Sequence, residues 1–325
     1  MVVSGIRIAN FPSAEARHLN NGAFQKIAAA LGERVCRNEP MCLHTSFRIG
    51  GPADLYVVAN NVRELVEFVR LAREHEIPYL IIGRATNILV ADKGIRGLVI
   101  ENAVRNMSFQ DGAILYAESG VLLSDLVRET ACRDLGGMEW AVGIPGSVGG
   151  AVVGNAGAYG SYISDVVLKA TILTADGTVR ELSAKEMGFG YRTSRFKGQV
   201  AEGKQEVILS AEFALRPKPA RIIAENIADY TCRRKESQPT EPSAGSVFKR
   251  TEQYPAGFLI EQAGLKGMRI GDAQISPKHA NFIVNLGNAK AADVKALIDL
   301  AQEQVWKQFG QKLELEIELI GEWNG

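Results

Sequence analysis

Two glycine-rich stretches, an arginine turn, a serine loop and an alternating acidic run carry the residue types from which a catalytic site can be built. The first stretch, Gly83-Arg84-Ala85-Thr86-Asn87-Ile88, follows the apolar run Tyr79–Ile82. The second is Gly143-Ile144-Pro145-Gly146-Ser147-Val148-Gly149-Gly150, which continues through Asn155 to Gly160. Successive backbone N–H groups in such loops form concave nests for phosphate oxygens, and glycine permits positive φ and close approach. Neither stretch has Walker A or GxGxxG spacing, which sets aside P-loop and Rossmann binding. A single glycine-rich loop is more often a tight turn than a phosphate site. Tyr191-Arg192-Thr193-Ser194 offers a guanidinium that can grip a carboxylate in bidentate fashion, although most arginines are simply solvated. Ser243-Ala244-Gly245-Ser246 presents a hydroxyl on a turn, where serine commonly just caps backbone. Lys278-His279-Ala280-Asn281 places a histidine at a strand entrance, more often a structural position. In the last run Glu314, Glu316 and Glu318 alternate with Leu313, Leu315, Ile317 and Leu319. That is the pattern of a strand with one solvated face, and alternation makes the three glutamates equivalent.

The elements that must position these residues are legible from periodicity. Val62, Leu65, Val66, Val69 and Ala72 recur at helical spacing with Glu64, Arg70 and Glu74 opposite, which predicts an amphipathic helix beginning at Asn61. A shorter helical piece is expected near Ala23–Leu31, and strands at Tyr79–Ile82, Ile88–Val90 and Leu98–Ile100. A second helix is expected over Leu122–Leu135, stopped by Gly136-Gly137. Strand-like runs follow at Val166–Thr174, Val179–Leu182 and Glu206–Leu215, with Ala175-Asp176-Gly177 as a turn. Arg216-Pro217-Lys218-Pro219 reads as a linker. Beyond it come a strand at Asn281–Leu286, a helix presenting Val294, Leu297, Ile298, Ala301 and Val305 on one face, and the final alternating run.

Composition narrows the class. At roughly 150 residues per domain, 325 residues suggest about two domains. The 46% hydrophobic and 23% charged content is that of an ordinary globular chain and excludes a disordered one. Lysine plus arginine and aspartate plus glutamate each number 37, so there is no basic excess of the kind a dedicated nucleic-acid binder carries. A polyanionic ligand must then be held by local geometry. Residues 1–17 contain no continuous apolar segment of the secretory type. The charge-free stretch 140–164 is long enough to span a bilayer, but its seven glycines and Pro145 argue against a spanning helix. Cys36, Cys42, Cys132 and Cys232 show no metal spacing and are expected to be buried free thiols in a reducing cytoplasm. The four histidines are scattered, so no metal site is expected.

Taken in order, the segments resemble the UDP-N-acetylenolpyruvoylglucosamine reductase family. The resemblance rests on Asn38-Glu39-Pro40, the stretch from His44 to Asp54, residues 83–90, residues 143–160, Tyr191–Ser194, Ser243–Ser246, Gly264-Leu265-Lys266-Gly267, and Ser276–Phe282. It covers about 38–322. It implies an α+β chain: a leader (1–40), a two-lobed FAD-binding region of the vanillyl-alcohol-oxidase/PCMH type (41–217, with lobes 41–103 and 104–217), and an α+β substrate-binding domain (218–325). The implied activity is NADPH-dependent, FAD-mediated reduction of UDP-N-acetylglucosamine enolpyruvate to UDP-N-acetylmuramate for peptidoglycan, in the cytoplasm, without nucleic acid or membrane insertion. The resemblance maps a catalytic arginine onto Arg192, a proton-donating serine onto Ser246 and a catalytic glutamate onto Glu316. It maps FAD contacts onto Gly83 to Ile88 and onto Gly143, Ile144, Pro145, Gly146, Ser147, Gly149 and Gly150. Tyr159, Lys249 and Gln274 fall to the nucleotide sugar.

The short interval between Arg192 and Ser246 resembles the family's shorter form. Ala85 and Thr86 stand where glycine and serine are usual, Gly154 replaces a larger residue, and Arg250 replaces an asparagine. Two other readings remain at this point: a flavin oxidase or dehydrogenase on the same scaffold, and a flavin- or nucleotide-binding regulatory protein without turnover. An oxidase has no need of a proton donor such as Ser246, and a regulator would tolerate loss of Arg192, Ser246 or Glu316.

Neither glycine-rich stretch contains histidine or cysteine, the residues that usually attach flavin in this superfold, so non-covalent FAD is expected. Acid denaturation should release all the yellow colour into the supernatant; colour left in the pellet would show a covalent link.

Overall fold

The computed structural model describes residues 8–9, 17–110, 112–199 and 205–323. Of the expected leader, residues 1–7 and 10–16 lie outside the described residues. The remainder does not stand apart. Helix α1 (Arg17–Leu31) buries Ile27 and Leu31 against Phe68 and Leu98, and Val35–Pro40 pairs antiparallel with Pro52–Ala59 as the edge of the first lobe's sheet. Pro52–Ala59 and Tyr79–Ile82 both run parallel to Ile95–Asn102. A parallel pair needs a crossover, and α2 (Val62–Glu74) supplies it, burying Leu65, Phe68, Val69 and Ala72. Its start is closed reciprocally: the Asn61 side chain accepts from the Glu64 N–H at 3.0 Å while Glu64 accepts from the Asn60 N–H at 2.8 Å.

The second lobe is an antiparallel sheet in the order Val179–Ser183, Val167–Leu173, Val207–Ala214, Ile114–Glu118, Met107–Gln110. One face packs on α3 (Leu123–Ala131) and α4 (Val148–Gly154). Helix α3 is shorter than periodicity suggests. It stops at Ala131, Asp134 turns with φ 55°, and Leu135–Gly136 becomes a strand. That strand pairs with Arg216–Pro217, so the expected linker is an edge contact, reinforced by the Lys218 N–H to the Asp134 carbonyl at 2.9 Å and by the Lys218 ammonium on Glu139 at 2.7 Å. Proline lacks a ladder donor, which limits the pairing to this two-residue edge.

Helix α5 (Ala220–Ser237) packs on the second lobe, with Ile227 and Tyr230 against its core. The third unit comprises α6 (Ala256–Gln262), the three-stranded sheet Arg269–Ile270, Ala273–Ile275, Ile283–Asn285, and α7 (Ala291–Phe309). The last alternating run keeps its buried positions Leu313, Ile317 and Leu319, but only Glu318–Ile320 forms a regular strand. That strand leaves the third unit and runs parallel between Ile8–Ala9 and Ile88–Val90 of the first lobe. In return, Phe47 and Ile49 from the first lobe enter the core beneath α7. The cysteines depart from expectation: Cys36, Cys132 and Cys232 are exposed and Cys42 is half-buried. No described helix is long and apolar enough to cross a membrane.

Asp92, just after Ile88–Val90, caps α7 from the neighbouring unit, accepting from the Ala291 and Ala292 N–H groups at 2.8 and 2.9 Å. Asp92→Ala should lower stability by about 1–2 kcal/mol, the scale of a lost helix cap, read as a lower urea midpoint; an unchanged midpoint would mean that water replaces the carboxylate without cost.

Candidate active site

The two glycine-rich loops, sixty residues apart in sequence, meet in space. A Cβ on Gly83 would collide with the Ser147 hydroxyl, and the Thr86 hydroxyl sits 4.0 Å from where a Gly146 Cβ would be. In the first loop Ala85 has φ 45°, the left-handed region that its side chain disfavours. Its carbonyl is pinned by the Ser46 N–H at 3.3 Å and the Ser46 hydroxyl at 3.4 Å. In the second, Gly149 lies against Ser119, with its N–H on the Ser119 carbonyl at 2.8 Å, and a Cβ there would be 3.1 Å from that side chain. Among the described residues, the N–H groups of Arg84, Ala85, Thr86 and Ser147 have no protein partner. Donors left open along a cradle that side chains would block fit the pyrophosphate of a dinucleotide such as FAD. Gly154 faces open space.

Arg192, Ser246 and Glu316 come together on the wall of one cleft of about 390 Å³, shared with Phe248, Lys278 and His279. Each is placed by a different device. Arg192 sits at φ 54° in a tight turn closed by Gly190 and Thr193, whose N–H groups bond each other's carbonyls at 3.0 and 3.3 Å. Buried Asn155, itself at φ 43°, holds that turn by donating to the Gly190 carbonyl at 2.9 Å. The Arg192 Nη1 donates to the Gly157 carbonyl at 2.8 Å, and Nε lies 2.8 Å from the Glu316 carboxylate. The Nε–H is not aimed at that oxygen and has no hydrogen-bond partner among the described residues, so the contact is one of charge with a donor left over.

Ser246 opens a short extended segment wedged between two others. It bridges Phe282, the Val247 N–H donates to the Asn281 carbonyl at 2.8 Å, and the Asn281 side chain brackets Phe248 with bonds of 2.8 and 3.0 Å. On the other edge the Glu316 N–H donates to the Val247 carbonyl at 2.8 Å. The Ser246 hydroxyl itself has no hydrogen-bond partner among the described residues.

The three glutamates that alternation leaves equivalent are distinct in the fold, with side-chain exposures of 64% for Glu314, 15% for Glu316 and 30% for Glu318. Burial raises the Glu316 carboxyl above the usual range, and the charges of Arg192, Lys197 and Lys249 pull it back. The Glu316 carbonyl accepts from Asn87 of the first loop at 3.1 Å and from the Lys197 ammonium at 3.5 Å. The first glycine loop and the acidic run thus touch.

The other expected residues lie outside the cleft wall. Tyr159 stacks on Tyr230 with centroids 4.4 Å apart and donates to the Tyr230 carbonyl. Lys249 lies 3.6 Å from Glu314. The Gln274 amide donates to the Gly267 carbonyl at 3.0 Å within its own hairpin. Two residues were not singled out by sequence. Lys197 is one. The other is Arg234 on α5, whose Nε donates to the Val142 carbonyl at 3.1 Å and whose Cδ fills the space a Gly143 Cβ would need. Burial lowers its proton affinity, and no carboxylate among the described residues pairs with it. Nothing in the run Arg233-Arg234-Lys235 marks the middle residue. Only the fold separates it from Arg233, which pairs on the surface with Asp229. A larger groove of about 650 Å³ between α2 and the second sheet gathers none of the candidate residues.

Comparison with known proteins decides the family. Residues 53–183 match the FAD binding domain model, and 238–320 match the model for the C-terminal domain of UDP-N-acetylenolpyruvoylglucosamine reductase. A UDP-N-acetylenolpyruvoylglucosamine reductase of Agathobacter rectalis is 46% identical over 303 residues, covering 89% of this chain and 95% of the relative. One of Carboxydothermus hydrogenoformans is 42% identical, covering 92% and 98%. The chain belongs to the UDP-N-acetylenolpyruvoylglucosamine reductase family. The crystal structure of a family member from Thermus caldophilus superposes with a TM-score of 0.74 at 34% identity, covering 86% of this chain and 97% of that one. The α+β architecture is therefore that of the reductase family, a PCMH-type FAD-binding region followed by the reductase C-terminal domain.

Gly83→Ala should drive its methyl into the Ser147 hydroxyl and lower FAD content after desalting, measured by absorbance near the flavin band. The double variant Gly83→Ala/Ser147→Gly should regain flavin. Full occupancy in the single variant would show that the loops do not meet as described.

Proposed function

We infer that this chain reduces UDP-N-acetylglucosamine enolpyruvate to UDP-N-acetylmuramate, the peptidoglycan precursor, with NADPH as electron source and non-covalently bound FAD. The observation that carries this reading is the convergence of Arg192, Glu316 and Ser246 on one cleft, with Glu316 tied through Asn87 to the cofactor loop. Family membership supports it independently. Residues 83–88 and 143–150 would hold FAD, which when bound accepts hydride from NADPH and supplies it to C3 of the enolpyruvyl group.

The protein's own task is to manage charge and a proton. As hydride adds at C3, negative charge develops at C2 and spreads into the substrate carboxylate. Arg192 is placed to grip that carboxylate, and its unpartnered Nε–H offers a ready donor. Without substrate, the guanidinium lies against Glu316. A substrate carboxylate arriving there makes two acids share one cation, which favours protonation of the more buried one. Glu316, already raised by burial, then serves as a neutral hydrogen-bond donor to the carboxylate, stabilising the developing charge. Ser246, its hydroxyl uncommitted to protein, donates the proton to C2. Tyr159 and Lys249 are proposed to face the nucleotide sugar or its diphosphate. Gln274 could join them only by releasing the Gly267 carbonyl.

The division of labour we propose places FAD between lobes 41–103 and 104–217 and the substrate against 218–325, with residues 17–40 completing the first lobe and Glu318–Ile320 returning to it. The reaction's soluble nucleotide substrates fit a cytoplasmic enzyme without a nucleic-acid partner.

Ser246→Ala separates the halves of the reaction. Flavin bleaching by NADPH in stopped flow should be nearly unchanged. Reoxidation by the enolpyruvyl nucleotide should slow by about 10²-fold or more, the scale of a general acid, and Ser246→Cys should recover part of it. Equal slowing of both halves would make the serine a loop-positioning residue instead.

A further inference from the structure

Lys197 is a half-buried cation beside Glu316 to which the proposed chemistry gives no task. It follows the Arg192 turn, anchored by its N–H on the Ser194 carbonyl at 3.1 Å. Its side chain is only 15% exposed. Burying an ammonium is costly, so a buried lysine beside a working carboxyl needs a reason. Its Nζ reaches the Glu316 carbonyl at 3.5 Å and the Glu318 carboxylate at 4.0 Å. Glu318, with its N–H on the Asn87 carbonyl at 2.9 Å, is fixed by the same strand that carries Glu316.

We propose that Lys197 and Glu318 form a half-buried charge pair that sets the proton affinity of Glu316, making Lys197 a positioning residue and Glu318 its counterweight. The proposal rests on the reductase reading above. The geometry has a consequence of definite sign. The Lys197 ammonium favours ionised Glu316, whereas Glu318 opposes it by neutralising Lys197. The same reciprocity appears on Lys197, which burial pushes down and Glu318 and Glu316 pull up. The other titratable and charged groups around Glu316 are Arg192 from the preceding turn, Lys249 from the Ser246 segment, Glu314 on its own run, and Arg250, Glu261, Lys278 and the imidazole of His279, whose proton affinity burial lowers, across the cleft. None of these is altered by the variants below.

The test is the pH dependence of flavin reoxidation by the enolpyruvyl nucleotide, which needs protonated Glu316 and therefore falls on an alkaline limb. Lys197→Met removes the cation, keeps Glu316 protonated to higher pH, and should move the limb up. Glu318→Gln should move it down. Each shift should be about half a pH unit or more, as for one charge acting through protein over several ångströms. Lys197→Arg should hold the limb near its original place, and Glu316→Gln should abolish it. A structural role for the pair would slow both variants without opposite displacement. Limbs that stay put or move in the same direction overturn the proposal. If Lys197→Met loses its flavin, Glu318→Gln decides alone: a limb that stays or rises overturns it. Failure of the wild-type protein to reoxidise with this nucleotide would instead overturn the reductase reading, a result distinct from any limb position.

Discussion

Three parallel backbone pairings, Ile88 with Glu318, Leu89 with Leu319 and Val90 with Ile320, hold the first glycine loop against the acidic run. Asn87 extends the seam with its side chain on the Glu316 carbonyl, across 229 residues of sequence. Closing so long a loop adds little entropy beyond a shorter one, because the cost grows only with the logarithm of length. The seam also explains the interleaved cores: Phe47 and Ile49 fill the space under α7, and the Asn285 amide donates to the Phe47 carbonyl at 3.0 Å. Were the third unit free to swing, the carboxyl of Glu316 and the guanidinium of Arg192, which come from different units, could not keep a 2.8 Å contact.

Part of the fold's backbone strain lies around the glycine loops and the Arg192 turn, while Asn38, Arg48, Glu76, Ala113 and Asp134 carry it elsewhere. Ala85, Asn155, Tyr159 and Arg192 all adopt left-handed backbone angles, with φ of 45°, 43°, 54° and 54°. Each such residue costs about 1–3 kcal/mol and persists only where its surroundings over-determine it. The surroundings here are buried amides and hydroxyls: Asn155 on the Gly190 carbonyl, Ser194 on the Val153 carbonyl at 2.7 Å, and Ser46 on the Ala85 carbonyl. These residues secure the backbone of the Arg192 turn, of α4 and of the first glycine loop.

Periodicity located α2 and the strands around Tyr79–Ile82, Leu98–Ile100, Val166–Thr174, Val179–Leu182 and Glu206–Leu215, and the glycine loops were visible as composition, but Val35–Pro40, Pro52–Ala59, Met107–Gln110 and Ile114–Glu118 were missed. The end of α3 was not visible. Gly136-Gly137 looks like a stop, yet the chain leaves the helix at Ala131 because residues 135–136 pair with Arg216–Pro217, a long-range demand that local propensity does not encode. Alternation treated Glu314, Glu316 and Glu318 alike, and only the resemblance separated them. Their difference arises from what packs on the middle one: the Arg192 guanidinium lies 2.8 Å from the Glu316 carboxylate, while Glu314 stays in water. Arg234 and Lys197 escaped for the same reason: burial of a cation is a property of what packs around it.

The seam also imposes an order on synthesis. Both glycine loops lie within residues 83–150 and leave the ribosome with more than half the chain still to come. Ser246 follows late, and Glu316 and the strand at Glu318 later still. Units tend to fold as they emerge, so the glycine loops can take shape long before Glu316 beside them exists. A nascent chain that captured its dinucleotide early would hold it in a half-built site, its first loop unpaired along one edge, until translation delivered the last strand.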